Sequence, residues 1–399
     1  MRKKLIQIVK YFKFVYIIYF YIGSSILKVI SKFVKKDSKT ILFVSFGGQG
    51  FNDSPKEIFD KIKMDPEFSD FKLVWAFRNP NQFETLSDEY KIKIDTVNYF
   101  KVAMKAGIWI TNSSIERGLE FKEPGNFCIN TWHGTPLKKM GTDISSNSES
   151  FTGTNIINAD IFLTQSAYET KIMSAAYSIP LINMKKYGLP RNDILTQPID
   201  SMKKNIIRQN LNIPINKKII LYAPTFREYY HNVDKTILFE NKLNEDAWKK
   251  VLGDDYVMLL RTHYEIESDT DKISSSNNFI YDVSEYENLN DLMQISDILI
   301  SDYSSIIFDF SILNKPMYTF TYDYDRYQKE RGLYFDIREH ISGSSDEGIL
   351  IQMISKMNLN EKISEAREFN GEFVEEHGKG TEKIVQYIKN KTKNMSGME

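Results

Sequence analysis

The chain has 399 residues, of which 42% are hydrophobic, so it is long enough for two ordinary domains that each bury a core, and nothing in its composition indicates disorder. A net charge of -1 argues against a nucleic-acid-binding protein, which usually has a basic excess over a whole domain. The one cysteine, Cys128, excludes an internal disulfide and a multi-cysteine metal site; its place in an apolar strand predicts a buried thiol in a reducing compartment.

Residues 1 to 36 are a basic segment with an apolar middle. They contain nine Lys or Arg and no acidic residue, and nine apolar residues run from Phe14 to Ile22. This run is shorter than the roughly 20 residues that span a bilayer. We therefore predict an amphipathic helix that associates peripherally with the cytoplasmic face of the cell membrane, with its lysines on anionic lipid. An uncleaved signal anchor and a buried helix of the first domain are the alternatives.

From Thr40 onward, apolar runs typical of buried strands alternate with longer helical patterns, which predicts a parallel sheet. The runs of the first half are 41–46, 73–77, 108–111, 127–129 and 161–163. A glycine-rich loop, Gly47-Gly48-Gln49-Gly50, follows the first run. It lacks the full spacing of a dinucleotide fingerprint, and it is either a loop for close approach of a ligand or a plain tight turn.

His133 follows the strand run 127–129 and precedes Pro136, which suits a first helical turn because it has no N–H. We therefore expect His133 at a helix N-terminus, where the dipole favours the neutral imidazole and makes it a candidate general base. A core histidine or a turn residue is the alternative. The residues after it supply backbone donors, a hydroxyl and a cation, which suit a phosphate: Gly134, Thr135 and Lys138.

After Asp193 the pattern lapses into a polar, Lys- and Asn-rich passage that continues to about Lys217. We interpret this passage as a linker between two parallel α/β halves, a first domain at residues 37–200 and a second at 201–399. The last fifty residues look helical and are candidates for packing back across both domains. The apolar runs of the second half are 219–222, 257–260, 279–281, 298–300 and 317–320.

Polar groups collect where the strands of the second half end. The turn Ser301-Asp302-Tyr303-Ser304-Ser305 leads into an apolar helix expected from Ile306, which makes an anion site or an ordinary N-cap. Ligands gather at the carboxyl ends of strands in open α/β sheets, so two further groups should converge on the same anion. They are Thr225 with Arg227, and Arg261 with Thr262 and His263.

The spacing of Asp323-Tyr324-Asp325 is one that often holds a divalent metal on a nucleotide sugar. Such a triplet is frequent by chance, and the expected anion already has Arg and Lys partners. We therefore interpret it as a solvated loop and infer no cofactor, although a divalent metal stays an option.

The stretch from Trp132 to Lys138, WHGTPLK, resembles the signature of the CDP-glycerol glycerophosphotransferase family, whose members build the linkage units and chains of teichoic acids and related capsules. Further matches follow in order and extend the resemblance over about Ser45 to Arg331. They are Gly188–Asp193 (GLPRND), Tyr222–Arg227 (YAPTFR), Arg261–His263 (RTH) and Ser301–Ser305 (SDYSS).

The resemblance implies a GT-B arrangement, in which two Rossmann-like parallel-sheet domains face a cleft. It implies transfer of glycerol phosphate from CDP-glycerol to a hydroxyl of a lipid-linked acceptor, with release of CMP. The acceptor would be an undecaprenyl-diphosphate-linked saccharide or a polyol phosphate. The alternatives are a CDP-ribitol enzyme, a glycosyltransferase that uses a nucleotide sugar, and a membrane-recruited nucleotide-binding protein without turnover.

The candidate site residues fall into catalytic, donor-binding and acceptor-side groups. The resemblance implies the role of the base for His133, and His263, from its position after a strand, is the second catalytic candidate. Donor binding is expected at Thr225, Arg227, Arg261, Thr262, Ser301, Asp302, Ser304 and Ser305. The acceptor or phosphate side is expected at Gly47, Gly48, Gly134, Thr135, Lys138 and Arg191.

Overall fold

The computed structural model describes residues 13–144, 157–225, 227, 243–262 and 278–396. The chain divides into two compact units. The first contains Met1–His133, Gly141–Asp193 and Glu376–Glu399, and the second contains Gly134–Met140 and Ile194–Glu375. The polar passage interpreted as a linker includes a helix, Ser201–Asn210, which belongs to the second unit.

Both units are built on parallel sheets. The first sheet consists of β1 (Asp37–Val44), β2 (Lys72–Phe77), β3 (Lys91–Lys93), β4 (Ala106–Thr111), β5 (Phe127–Asn130), β6 (Ile161–Thr164) and β7 (Met184–Lys186). The second consists of β8 (Lys218–Ala223), β9 (Tyr256–Leu260), β10 (Ile280–Asp282), β11 (Ile298–Ser301), β12 (Met317–Phe320) and β13 (Gly343–Ser344). The prediction of two parallel α/β halves is confirmed.

The strand order reverses once in each sheet. The order is β3-β2-β1-β4-β5-β6-β7 in the first unit and β10-β9-β8-β11-β12-β13 in the second. The chain therefore winds outward in both directions from the pair β1/β4 and from the pair β8/β11. Ligands of doubly wound sheets bind outside the carboxyl ends of the strands at such a switch point.

The helices of the described residues pack around these sheets. In chain order they are α1 (Lys13–Phe33), α2 (Asp53–Lys63), α3 (Val97–Lys105), α4 (Ala167–Tyr177), α5 (Ser201–Asn210), α6 (Glu245–Leu252), α7 (Leu289–Ile295), α8 (Ile306–Ser311), α9 (Tyr324–Glu330), α10 (Glu347–Ser355), α11 (Leu359–Phe373) and α12 (Gly380–Ser396). The expected helical character of the last fifty residues is confirmed.

Helix α12 returns to the first unit. The Asp193 carboxylate accepts hydrogen bonds from the backbone N–H of Gly380 (2.8 Å) and Thr381 (2.7 Å), the first two residues of the helix. A carboxylate at this end satisfies orphan donors and complements the helix dipole. Lys389 pairs with Asp65 at 2.6 Å, and α12 adds three apolar side chains to the first core: Ile384, Val385 and Ile388.

The ten apolar runs predicted as strands all form strands, whereas β3, β7 and β13 were not predicted. Strands buried on both faces read as continuous apolar runs. The missed strands are two or three residues long, and β3 and β7 contain lysines, as edge strands often do. Cys128 lies buried in β5, and burial raises the pKa of its thiol to about 12, as expected of a structural cysteine.

Helix α1 contacts the first unit through Ser24, Leu27 and Lys28. The Ser24 hydroxyl accepts from the backbone N–H of Glu120 at 2.9 Å, and Lys28 pairs with the Glu120 carboxylate at 2.8 Å. Five of its large apolar side chains are more than half exposed: Tyr21, Ile22, Ile26, Val29 and Phe33. Within the part of the chain that the structure describes, no helix is both long and apolar enough to cross a membrane.

Candidate active site

The segment from Thr131 to Met140 is a loop, so the prediction that a helix begins at Pro136 is wrong. The backbone of this segment pairs instead with a distant stretch of chain. The N–H of Lys139 donates to Gly332 O at 3.0 Å, and Leu137 O accepts from the N–H of Tyr334 at 2.9 Å. This strand-like pairing extends the segment, and the dipole of a helix therefore does not act on His133.

A backbone carbonyl selects the tautomer of the neutral His133 ring. Its Nδ1 lies 2.8 Å from the carbonyl oxygen of Asn112, the residue that follows β4. Because a carbonyl oxygen can only accept, Nδ1 must be the protonated nitrogen. The lone pair of the neutral ring is then on Nε2, which is the arrangement that a general base requires.

Aromatic rings and a strained backbone hold the imidazole in place. The Trp132 ring stacks on it with centroids 4.3 Å apart, and the Phe46 ring lies at 5.7 Å. Trp132 has φ +51, which is costly for a bulky residue, and Gly134 has φ +151. The N–H of Trp132 donates to Asn130 Oδ1 at 2.8 Å, which helps to keep this conformation.

The glycine-rich loop lies at the same carboxyl edge, at the switch point between β1 and β4. The N–H of Phe46 donates to Asn112 Oδ1 at 2.8 Å, so Asn112 contacts both this loop and His133. Gly47 and Gly48 have φ +60 and +85, and Gly48 N–H closes a turn onto Ser45 O at 2.8 Å. The loop is thus a tight turn, and it lies beside the histidine. The sequence analysis did not single out Asn112 or Asn130, whose only signal is their position at strand ends.

The other residues predicted for the acceptor or phosphate side are divided between the two units. Gly134, Thr135 and Lys138 belong to the segment that forms part of the second unit. Arg191 is buried in the first unit, where its Nη1 pairs with the carboxylate of Asp53 at 2.8 Å. Asp53 is the first residue of α2, so Arg191 holds the start of that helix.

Buried charges form the carboxyl edge of the second sheet. Asp302, which follows β11, accepts from the N–H of Thr225 at 2.8 Å and from the N–H of Tyr303 at 2.6 Å. The other carboxylate oxygen of Asp302 lies 2.9 Å from Nη1 of Arg227. The ends of β8 and β11, on either side of the switch point, are thus joined.

The Arg227 guanidinium is enclosed. Its Nε and Nη2 donate to both oxygens of Asp323, at 2.7 and 2.9 Å, and its side chain is 3% exposed. The rings of Tyr303, Tyr322 and Tyr327 each lie 5.1 Å away. Burial opposes the charge, but the two carboxylates outweigh burial and raise the pKa of Arg227. The sequence analysis expected Arg227 on the donor phosphate and left Asp323 in a solvated loop; the structure pairs them.

The remaining predicted donor residues lie around this network or beside it. The Thr225 hydroxyl oxygen is buried and has no hydrogen-bond partner among the described residues. Ser305 precedes α8 without capping it through its side chain, whereas the buried Ser301 hydroxyl donates to Ala223 O at 2.6 Å. Ser304 Oγ makes one long contact, 3.4 Å, with the N–H of Ile306.

Arg261 and Thr262 follow β9. Arg261 Nη1 donates to the carbonyl oxygens of Val283 and Tyr286, both at 2.6 Å, and the hydroxyls of Thr262 and Ser284 lie 2.7 Å apart. His263, the second predicted catalytic residue, lies outside the described residues.

The family model for CDP-glycerol:poly(glycerophosphate) glycerophosphotransferases matches residues 26–390. The chain belongs to this family. The resemblance found in the WHGTPLK stretch is thereby confirmed.

Other members of the glycerophosphotransferase family are similar over much of the chain. The teichoic acid poly(glycerol phosphate) polymerase of Staphylococcus epidermidis is 36% identical over 316 residues, which are 76% of this chain and 43% of that protein. The teichoic acid glycerol-phosphate transferase of Staphylococcus aureus is 33% identical over 382 residues, 90% of this chain and 95% of that one. A structure of the wall teichoic acid polymerase TagF has a TM-score of 0.82 and 32% identity, and the match covers 93% of both chains.

Among the described residues of this glycerophosphotransferase family member, no group of three or more His, Cys, Asp or Glu side chains could hold a metal ion. Asp323, the first acidic residue of the Asp-x-Asp triplet, is the partner of Arg227.

Proposed function

We propose that this chain transfers glycerol phosphate from CDP-glycerol to a hydroxyl of a lipid-linked acceptor and releases CMP. Family membership supports the reaction class. The observation that carries the proposal is the hydrogen bond from His133 Nδ1 to Asn112 O, which leaves Nε2 as the basic nitrogen at the switch point of the first sheet. This histidine is part of the WHGTPLK stretch.

In the proposed step, the acceptor oxygen attacks the phosphorus atom that bears glycerol. The bond from this phosphorus to the bridging oxygen breaks, and CMP leaves with the electron pair. The hydroxyl proton passes to Nε2 of His133. Such a base contributes about 10²- to 10⁴-fold, and the rest of the acceleration comes from positioning and from stabilised charge.

The second unit supplies the donor site in this proposal. The buried Thr225 hydroxyl, the Ser304 and Ser305 hydroxyls and Arg261 donate to the diphosphate, because these groups collect at the carboxyl edge around the β8/β11 switch point. Arg227 joins Asp302 to Asp323 and therefore positions the strand ends, while His263 is the second catalytic candidate. His133 and the turn with Gly47 and Gly48 form the acceptor side, and we keep Arg191 as the support of that side.

A donor screen tests the reaction class. The purified chain is incubated with CDP-glycerol, CDP-ribitol or a nucleotide sugar, together with a soluble acceptor analogue, and the released nucleotide is identified. We expect CMP from CDP-glycerol at the highest kcat/KM. Faster turnover of CDP-ribitol would mean that the donor is CDP-ribitol. Release of a nucleoside diphosphate from a nucleotide sugar would mean that the chain is a glycosyltransferase.

Calorimetry with CMP tests the donor site. Thr225→Val, Arg261→Ala and Ser305→Ala should each weaken binding, because each removes a donor to a charged oxygen, worth roughly 1.5 to 3 kcal/mol. Arg367→Ala is the matched control, because Arg367 lies in the same unit and is exposed on α11. If all three variants bind CMP as tightly as the control does, the donor site lies elsewhere.

We further propose that α1 holds the chain on the cytoplasmic face of the membrane, where a lipid-linked acceptor is confined. Its exposed apolar side chains and the basic residues around them support this assignment. The combined variant Ile22→Ser, Ile26→Ser, Phe33→Ser alters the outer face and leaves the contacts of Ser24 and Lys28 in place. It should abolish sedimentation with anionic vesicles and keep activity on a soluble acceptor analogue.

The matched control changes two exposed apolar residues elsewhere on the first unit, Leu181→Ser with Ile182→Ser. Undiminished sedimentation of the α1 variant, or an equal loss in the control, would contradict a specific role for the helix.

A further inference from the structure

A cavity of about 590 Å³ lies along helix α10 in the second unit. Its volume is within the roughly 300 to 1,000 Å³ that small-molecule sites occupy. It is lined by Tyr318 of β12 and by three apolar side chains, Ile349, Met353 and Met357. The residues proposed for the donor site follow the carboxyl ends of β8, β9 and β11, so this cavity is a separate feature of the unit.

Two buried polar side chains line the cavity and have hydrogen-bonding capacity that the described residues do not use. Tyr318 is 2% exposed, and its hydroxyl makes no hydrogen bond with another described residue. Lys362 is 5% exposed, and its ammonium lies 4.3 Å from the centre of the Tyr318 ring. Among the described residues, Glu365 is the one acceptor of this ammonium, which has three N–H donors. Buried donors without acceptors are costly, which indicates that a ligand supplies the missing oxygens.

The charges around the cavity favour a neutral ligand. The two lysines that line it, Lys356 and Lys362, are matched by Asp346 and Glu361. The carboxylate of Glu365 lies against Lys362 and adds a third negative charge. An anion in the cavity would therefore face carboxylates, and like charges repel more strongly where water is partly excluded. The acceptor that fits is an uncharged oxygen, such as that of a hydroxyl or an ether.

Exposed amide and carboxylate groups surround the apolar lining. They belong to Asp346, Gln352, Asn358 and Glu361. Each of these planar groups offers two polar atoms, and a sugar ring offers neighbouring hydroxyls that both donate and accept. The C–H surface of the same ring suits the methionine side chains, because thioethers adapt to irregular shapes.

We propose that this cavity binds a neutral saccharide without acting on it chemically. Oxygens of the sugar accept hydrogen bonds from the Tyr318 hydroxyl and the Lys362 ammonium, while its C–H surface packs on Met353 and Met357. The site goes beyond the proposed reaction, since no bond is formed or broken in it. It attaches the second unit to a glycan and leaves the strand ends to the nucleotide donor.

Saturation-transfer difference NMR on the full chain tests the site with two neutral disaccharides, maltose and N,N′-diacetylchitobiose. At least one of them should bind, and neither inorganic phosphate nor CMP should displace it. Tyr318→Phe should raise the Kd for the bound sugar at least about threefold, because one hydrogen bond is lost. CMP release from CDP-glycerol with a soluble acceptor analogue should not change in this variant.

Tyr281→Phe is the matched control, because it removes a tyrosine hydroxyl from β10, at the far edge of the same sheet. Its Kd for the sugar should equal that of the wild type. Gln352→Ala, at an exposed position of α10, guards against a folding failure of the Tyr318 variant and should also weaken sugar binding.

The inference is overturned if neither disaccharide binds, or if Tyr318→Phe and Gln352→Ala both bind the sugar as tightly as the wild type does. Displacement by inorganic phosphate would make the cavity an anion site, and displacement by CMP would assign the sugar to the donor site. A wild-type chain that binds the sugar but releases no CMP from CDP-glycerol would contradict the proposed function and leave this inference intact.

Discussion

The carboxyl edges of the two sheets share a topology and differ in how they hold their central side chain. At the first edge, His133 is held by a backbone carbonyl and by the rings of Trp132 and Phe46. At the second edge, Arg227 is held by the carboxylates of Asp302 and Asp323 and by three tyrosine rings. A single hydrogen bond through Nδ1 orients the imidazole, whereas two ion pairs fix the guanidinium in one place. One edge is thus suited to proton transfer and the other to a rigid frame.

The largest loss of stability should come from the edge of the second sheet, where Arg227 pairs with two carboxylates. Arg227→Met leaves two buried carboxylates without their cation, and breaking a buried pair in this way costs about 3 to 5 kcal/mol. Urea unfolding of the full chain measures the loss. Arg338→Met, which removes a more exposed pair with Asp336, should cost about 0 to 1 kcal/mol. Equal losses in the two variants would mean that the Arg227 network does not stabilise the second unit.

At the edge of the first sheet, a substitution of His133 should lower the reaction rate strongly and the free energy of unfolding only slightly. His133→Ala should slow the chemical step at least about a hundredfold, because the acceptor hydroxyl loses its base. Single-turnover CMP release measures the rate, and calorimetry should show unchanged donor binding. His340→Gln, in the second unit, is the control and should react normally. Near-normal turnover of His133→Ala would return His133 to the role of a core or turn residue.

A smaller loss of stability is expected at Asn130, which accepts a hydrogen bond from the backbone N–H of Trp132, the residue before His133. Asn130→Ala removes the acceptor of the Trp132 N–H and should cost about 1 to 3 kcal/mol, less than Arg227→Met costs. The exposed Asn79 makes no capping hydrogen bond, so Asn79→Ala should leave the free energy of unfolding nearly unchanged. A cost for Asn130→Ala no greater than that of Asn79→Ala would show that this bond does not hold the loop.

A further effect concerns pH, at a half-buried lysine that precedes β12. Burial lowers the pKa of Lys315 to about 8 from its usual 10.5, although its Nζ donates to Gln294 O and Ser296 O. Between these pH values the folded chain has lost a proton that the unfolded chain still holds. The free energy of unfolding should therefore rise with pH across this window relative to Lys315→Met. Parallel pH profiles for the two proteins would contradict the lowered pKa.

Much of the fold could be predicted from local patterns, because strands buried on both faces of a parallel sheet read as apolar runs wherever they occur. The motif around His133 could also be recognised in the sequence, because its residues are consecutive in the chain. The helix expected at Pro136 shows the limit of local reasoning. Proline without an N–H suits a helix start and an extended loop equally well, and the choice depended on pairing with residues near Gly332.

The sequence by itself determined the family, the two parallel sheets and the histidine, since each depends on residues that are neighbours in the chain or repeat with a fixed period. Only the tertiary structure decided which charges meet. Arg227 pairs with Asp302 and with Asp323, which is 96 residues further along, and Arg191 pairs with Asp53 at the start of α2. Burial makes an unpaired charge costly, so charged side chains find partners across the fold, and no local pattern encodes that choice.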